Sequence, residues 1–249
     1  MDSMSKPLHA GRAAEAGITA ALAAREGVTG SLDVIEGEAG FGRAMGDNPD
    51  WEKSISTLGK DFHICRMTFK NHTCCGHTFA AIDGALALKA KMGVAANDIE
   101  QVSVGTYKAA LEVAGCEQPR SAAEARFSLK YVVATALTHG SVRLAAFEPA
   151  RIEDPVTRSF MKRISVSIDP ELDAAFPRQR AARVAIAARG GRRGDFLQPT
   201  RIGDPDAPLS DAQLEEKYLE LVVPVIGDSP ARALLGKLWK LEFERNLTL

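Results

Sequence analysis

The 249-residue chain is long enough to bury a sizeable core, in one large domain or two small ones. Hydrophobic residues make up 45% and charged residues 25%, the balance of a folded globular protein, which excludes disordered and fibrous classes. With 31 Lys and Arg against 32 Asp and Glu there is no basic field for a polyanion, so no nucleic acid is expected as partner and a small ligand or a protein is.

The opening "MDSMSKPLHAGRAAEAG" lacks the apolar core of a secretory signal, and no continuous run of about 18 apolar residues occurs, so a cytoplasmic protein without a membrane partner is expected. "LHAGRAAEAGITAALAA", residues 8 to 24, places Ala13, Ala16, Ala20 and Ala24 at near-helical spacing and predicts a small-residue helix packed closely on other helices. Residues 27 to 59 read as a connector with one or two short helices. The β-branched and aromatic content of "DFHICRMTF" predicts a strand over 61–69, followed by a helix over 78–91. Alternation in "IEQVSVGTY", "RISVSIDP" and "ARVAIAAR" predicts three further strands. Between the first two, "SAAEARFSLKYVVATALTHG" predicts a helix opened by Ser121 and Glu124 as a capping box and stopped at Gly140. "RGGRRGDF", 189 to 196, reads as a solvated hairpin tip. Ser210 caps a helix with an acidic first turn, and a last helix over 229–244 carries Leu234, Leu235, Leu238 and Leu241 on one stripe.

Chemistry concentrates in "FKNHTCCGHTFAAIDGALALKAK", residues 69 to 91. His72 and His77 have a permissible zinc spacing, but no second ligand pair is evident and the adjacent Cys74 and Cys75 cannot easily chelate together, so no metal is expected. The C-x-x-C of a thioredoxin-like redox site is absent, and reduced thiols behaving as small apolar groups are the better reading. Lys70 lies between the expected strand and the following helix, where an ammonium suits an anionic ligand; the alternative is an ordinary surface lysine. Lys6 and His9 flank Pro7 at the entrance to the Ala-rich helix. Arg126, Ser128 and Tyr131 stand at offsets of two to five residues, with Tyr131 either a proton donor or an amphipathic core tyrosine.

Taken in order, "SKPLHAGRAAEAG", "FKNHTCCGHTFAAIDGALAL", "EARFSLKYVVATALTHG", "VSIDPELDAAFP" and "GDPDAPLSDAQLEEKY" resemble the second half of the MmgE/PrpD family, which comprises 2-methylcitrate dehydratases, cis-aconitate decarboxylases and iminodisuccinate epimerases. The resemblance implies an α+β fold: a mixed α/β lid over 61–225, flanked by helices of a mostly absent all-helical domain, of which 1–60 is a remnant and 226–249 a returning helix. It implies lyase or isomerase chemistry on small di- and tricarboxylates without cofactor, by proton removal beside a carboxylate. Lys6 matches the lysine of the family's "KPLH" segment and Lys70 the lysine at the lid entrance, both as catalytic clamps. Tyr131 corresponds to a tyrosine of the "R-x-S" helix, with Arg126 and Ser128 beside it as substrate contacts, and Cys74 and Cys75 match a cysteine pair of bacterial members. His77 has no secure family counterpart and is assigned to selectivity, alongside His72, with a structural role as the alternative for both. Family members are nearly twice this long, and their first part carries an Asp and His cluster that this chain lacks. The family is commonly dimeric, so the resemblance implies a homodimer, or, given the missing part, a partner for an N-terminal helical half. The alternatives are an inactive carboxylate-binding remnant and an interaction subunit for a helical partner chain.

Overall fold

The computed structural model describes residues 5–243, apart from the side chains of Lys6 and Pro7. The chain divides into two compact units, Met1–Arg66 and Met67–Leu249.

The first unit opens with α1 (Ser5–Arg25), as its alanine content and lack of β-branched runs dictate. The expected close packing on other helices is not seen: of its described residues only Ala23 is half-buried. Methyl groups offer little area to bury, and the larger Leu8, Ile18 and Leu22 are 61%, 63% and 47% exposed. The connector does carry two short helices, α2 (Phe41–Met45) and α3 (Trp51–Ile55), the second capped by the Asp50 carboxylate accepting from Lys53 N at 2.9 Å. Gly42 on α2 packs against the Trp51 ring, where any Cβ would collide.

The strand expected over 61–69 does not form. His63–Arg66 is a 3-10 turn, and Phe62, Ile64, Met67 and Phe69 are all exposed. A strand needs a partner ladder for its N–H and C=O groups, and composition cannot supply one.

The second unit is built on α4 (Phe79–Met92), entered through the 3-10 turn Gly76–Thr78 and ended by Gly93 in the left-handed region at φ 60°. The three expected strands appear as β1 (Ile99–Thr106), β2 (Ile164–Ile168) and β3 (Ala182–Ala188). Between β1 and β2 run α5 (Lys108–Ala114), α6 (Ala122–Ala125), α7 (Leu129–His139), α8 (Pro149–Ile152) and α9 (Pro155–Met161), and α10 (Pro170–Ala175) leads from β2 towards β3. The single helix expected over 121–140 is broken in two. Ser121 caps α6 by accepting from Glu124 N, but Ser128, in extended conformation, caps a new helix by accepting from Tyr131 N. Gly140, at φ 82°, ends α7 as expected.

The tip at Arg189–Gly191 is shorter than expected, because Arg192–Gln198 is a fourth strand, β4. The sheet order is β2-β1-β3-β4, with β2 parallel to β1 and the other pairs antiparallel; Val102 stands opposite Ile164 on one side and Ile186 on the other. This is an α+β fold with a mixed sheet. Val102, Val104, Val184 and Ile186 bury one sheet face under Phe79, Ile82 and Leu88 of α4 and Val133 and Leu137 of α7, while Gln101 and Ser103 leave the other face open to solvent. Each such side chain contributes roughly 1.5–3 kcal/mol. Gly84 lets α4 approach the sheet: a Cβ there would lie 3.2 Å from both Val184 and Gln198. Beyond β4, Ser210 and Gln213 form a reciprocal capping box at the start of α11 (Asp211–Ile226). The last helix, α12 (Asp228–Leu238), stops before Leu241, so the leucine stripe ends at Leu238; Glu244 lies outside the described residues.

Candidate functional site

Residues 67–78 form no strand or helix of their own until the turn at Gly76, yet they are held from every side. Phe69 N donates to Gly203 O at 2.8 Å, Thr73 N to Val142 O at 3.0 Å and Cys75 N to Arg126 O at 3.0 Å. The buried Asp83 of α4 takes His72 Nε2 at 2.8 Å on one oxygen and Ile202 N–H at 2.9 Å on the other, so one carboxylate ties the loop to the turn at 200–204. Gly203, at φ 103°, lies so close to Phe69 O that no side chain fits there. Thr68 adds a bond to Asp204 Oδ1 at 2.6 Å. Asp204 in turn grips Arg201 through two oxygens, at 2.6 and 2.8 Å. Burial would raise the Asp204 pKa, but the bonds from Arg201 and Thr68 outweigh it and hold the carboxyl below its ordinary value.

On this frame Lys70 is exposed, with Nζ donating to Cys74 O at 3.3 Å and standing 6.0 Å from the centre of the Phe79 ring. One carbonyl uses one of three ammonium donors, so the rest of its capacity faces outward. Lys217 of α11 lies within electrostatic reach: burial, then the charges of Arg143 and Lys70, lower its pKa against the opposing pull of Glu220. Arg143 Nη1 is 3.5 Å from Glu220 Oε2 but buried without a hydrogen bond, and Asn71 Oδ1 is likewise buried and unpartnered. Besides Asp83, Asp204 and Arg201, which bond the loop to its frame, Lys70, Lys217 and Arg143 stand with Glu220 and two unsatisfied polar atoms, an arrangement suited to an anion with several oxygens.

His77 occupies the other end. Its Nδ1 is 2.9 Å from Tyr107 Oη, and Tyr107 stacks on Phe176 with ring centres 4.5 Å apart. Burial first, then the charges of Arg180 and Arg201, lower the His77 pKa, so the imidazole is neutral at pH 7. Burial pushes the Tyr107 phenol up to about 12. A neutral imidazole with one nitrogen fixed by a phenol can pass a proton through the other.

The remaining sequence-expected residues fall elsewhere in the fold. Tyr131 is wholly buried, donates its hydroxyl to Ala146 O, and has its pKa raised chiefly by burial. Ser128 is buried as the α7 cap. Arg126 stacks its guanidinium 4.8 Å from the Phe147 ring centre while its carbonyl holds Cys75 N, which links this segment to the lysine loop through the backbone. Lys6 sits in α1, and its side chain lies outside the described residues; His9, also on α1, is exposed. Cys74 is buried, pairs with Thr78 Oγ1 at 3.2 Å and is pushed up to about 12 by burial; all four cysteines are free thiols. No group of three or more His, Cys, Asp or Glu that could hold a metal occurs among the described residues. Arg143, Tyr107, Arg201 and Lys217 are not singled out as site residues by the sequence, although Tyr107 and Lys217 fall in segments read there as a strand and a family motif: they lie on separate segments that only the fold gathers.

The structure is thus an α+β sheet domain whose lysine-containing loop is tied down by hydrogen bonds and stands near further cations. The family follows from sequence: the profile of the MmgE/PrpD C-terminal domain matches residues 72–241 and that of the MmgE/PrpD N-terminal domain residues 1–54, so the chain belongs to the MmgE/PrpD family. It therefore carries sequence of both family domains, where the C-terminal part alone was expected. It is 26% identical over 222 residues to the human (Homo sapiens) cis-aconitate decarboxylase, covering 87% of this chain and 46% of that protein. It is 23% identical over 248 residues to the mouse (Mus musculus) cis-aconitate decarboxylase, covering 96% of this chain and 50% of that one. The chain spans about half the length of the curated relatives it matches. Among the described residues no helix is long and apolar enough to cross a membrane.

Proposed function

We propose that this chain is part of an MmgE/PrpD lyase or isomerase acting on small di- or tricarboxylates, with residues 61–225 as a lid and 1–60 and 226–249 belonging to a helical domain, working as a homodimer or together with an N-terminal helical half. The reading is supported most by the cations near the loop: Lys70, Arg143 and Lys217 stand with Glu220, while the Asp83 and Asp204 carboxylates are already taken up by His72, the Ile202 N–H, Thr68 and Arg201. Lys70 binds one substrate carboxylate. The neutral His77, braced by Tyr107, is assigned the proton exchange with the adjacent carbon. Removing that proton spreads negative charge onto the carboxylate, and fixed ammonium and guanidinium groups stabilise it without reorganising. Lys6 is assigned a second clamp. Tyr131 acts as hydrogen-bond donor only if its bond to Ala146 O is exchanged; otherwise, with Arg126 and Ser128, it holds the wall behind the loop. No cofactor is invoked in these steps, and a cytoplasmic setting accords with the free thiols.

The test is turnover. Supplied with a family helical half bearing the Asp and His cluster, the chain is expected to dehydrate, decarboxylate or epimerise one member of a panel including cis-aconitate and 2-methylcitrate, and Lys70→Ala to abolish it. A folded pair that leaves the whole panel unchanged would refute the assignment. The exposed Leu8, Ile18 and Leu22 of α1 favour a second reading, an interaction subunit docking a helical partner; a clean monomer at micromolar concentration contradicts it.

A further inference from the structure

Away from the lysine loop, a cavity of about 530 Å³ opens between the segment after α5 and the helices α7 and α9, lined by Glu117, Gln118, Lys130, Arg158, Met161 and Lys162. Its cations are unevenly matched. Lys130 Nζ meets Glu117 Oε2 at 2.5 Å, but the Glu117 side chain is 67% exposed and free to swing away. Arg158 donates Nε to Ile152 O at 2.7 Å and Nη2 to Pro119 O, two neutral acceptors that fix the guanidinium without cancelling its charge. Among the described residues neither Arg158 nor Lys162 has a carboxylate within ion-pair distance. Glu117 and Lys130 also wall a second cleft of about 240 Å³, whose other sides include Leu111, Ala114, Leu129 and Val166. The segment between the two is anchored, with Cys116 N donating to Phe127 O at 3.1 Å and Gly115 bridged to Ser128. A cationic chamber that shares two residues with a smaller cleft, walled in part by Leu111, Ala114, Leu129 and Val166, is the shape of a site for an ion with a short tail.

We propose that these two cavities form one binding site, distinct from the lysine loop, for a small amphipathic anion: a phosphate or carboxylate head between Lys130, Arg158 and Lys162, and a short acyl or alkyl tail against Leu111, Ala114, Leu129 and Val166. On binding, the head group displaces Glu117 from Lys130, and the tail lies along Cys116, which lines the smaller cleft. Two cations without acidic partners favour the anion, and burial of the tail selects amphiphiles over bare phosphate.

Titration calorimetry of the full chain with hexyl phosphate and hexanoate tests this, with inorganic phosphate and hexanol as half-ligands and with alkylation of Cys116 followed by peptide mass mapping. At least one of the two amphiphiles is expected to bind at least tenfold more tightly than either half-ligand and to slow Cys116 alkylation. Which one binds identifies the head group. Lys162→Glu is expected to weaken binding at least tenfold, while Lys70→Ala, outside this site, leaves it unchanged. Lys130→Gln serves as the second variant should Lys162→Glu not fold. The proposal is overturned if neither amphiphile binds at millimolar concentration, if the half-ligands bind as well, if Cys116 alkylation is not slowed, if the variants at 162 and 130 bind like the parent, or if Lys70→Ala removes the binding.

Discussion

The two units use their apolar residues in opposite ways. In Met67–Leu249 they converge on one sheet face, and Phe79, Ile82, Val104, Val133 and Leu137 have essentially no exposure. In Met1–Arg66 they stay outside: Leu32 is 99% exposed and Ile55 64%, and among the described residues the buried ones are the glycines Gly40 and Gly42. The contrast teaches that the second unit carries its own cohesion, whereas the first is held by helix propensity and local caps, which are weak in water without tertiary packing. The rigid lysine loop belongs to the cohesive unit.

The largest expected effect breaks that cohesion. Phe79→Ala is expected to destabilise the second unit by about 3–5 kcal/mol, whereas Leu22→Ala on α1 changes stability by no more than about 0.5 kcal/mol, as read from urea midpoints. Equal costs for the two would erase the distinction. Amide exchange sharpens it further: β1 and β3 amides should exchange slowest and those of α1 near the rate of an isolated peptide.

Next comes the tie between loop and sheet helix. Asp83→Ala leaves His72 Nε2 and the Ile202 N–H without their acceptor inside the protein, a loss of about 2–4 kcal/mol. It should also free residues 69–75 to exchange quickly while β1 stays protected. A variant with parental stability would show that Asp83 does not anchor the loop.

A smaller effect is set by pH. Asp154 caps α9; burial alone would raise its pKa, but bonds from Thr157, Val156 N and His139 bring it down to about 2. A depressed carboxyl contributes stability that is present above its unfolded pKa near 4 and is lost as pH falls towards 2. The contribution is on the order of 1 kcal/mol, discounted for its partial exposure. Asp154→Ala should remove it and flatten the acid limb of a thermal melt between pH 4 and 2; an unchanged limb contradicts the capping role. Smallest in energy, but sharp as a readout, Cys74 should resist iodoacetamide at pH 8 while the exposed Cys65 reacts, because its thiol is pushed up to about 12.

Much of the cohesive unit was legible in the sequence. The alternation in β1, β2 and β3 and the glycine stop after α7 are local signals that packing reinforces. What failed needed a partner. "DFHICRMTF" has strand composition but no strand beside it, so it turns as a 3-10 segment. β4 hides because "RRGDFLQ" is an edge whose half-buried residues are Gly194, Phe196 and Gln198, only one of them a large hydrophobe. At the site, Lys70 and His77 stood out as a cluster, while Arg143 and Lys217 lie on distant segments that only tertiary structure brings to Lys70. Tyr131, a candidate donor by position, is buried with its hydroxyl on Ala146 O, a commitment that helical spacing does not reveal.

Carboxylate binding at the loop bearing Lys70, as proposed, is what everything else at the site depends on. The most direct measurement is titration calorimetry of the chain with cis-aconitate, in parent, Lys70→Ala and Lys162→Glu forms. Binding is expected to weaken at least tenfold in Lys70→Ala and to be unchanged in Lys162→Glu. Undiminished binding in Lys70→Ala, or none in the folded parent at millimolar ligand, would contradict it.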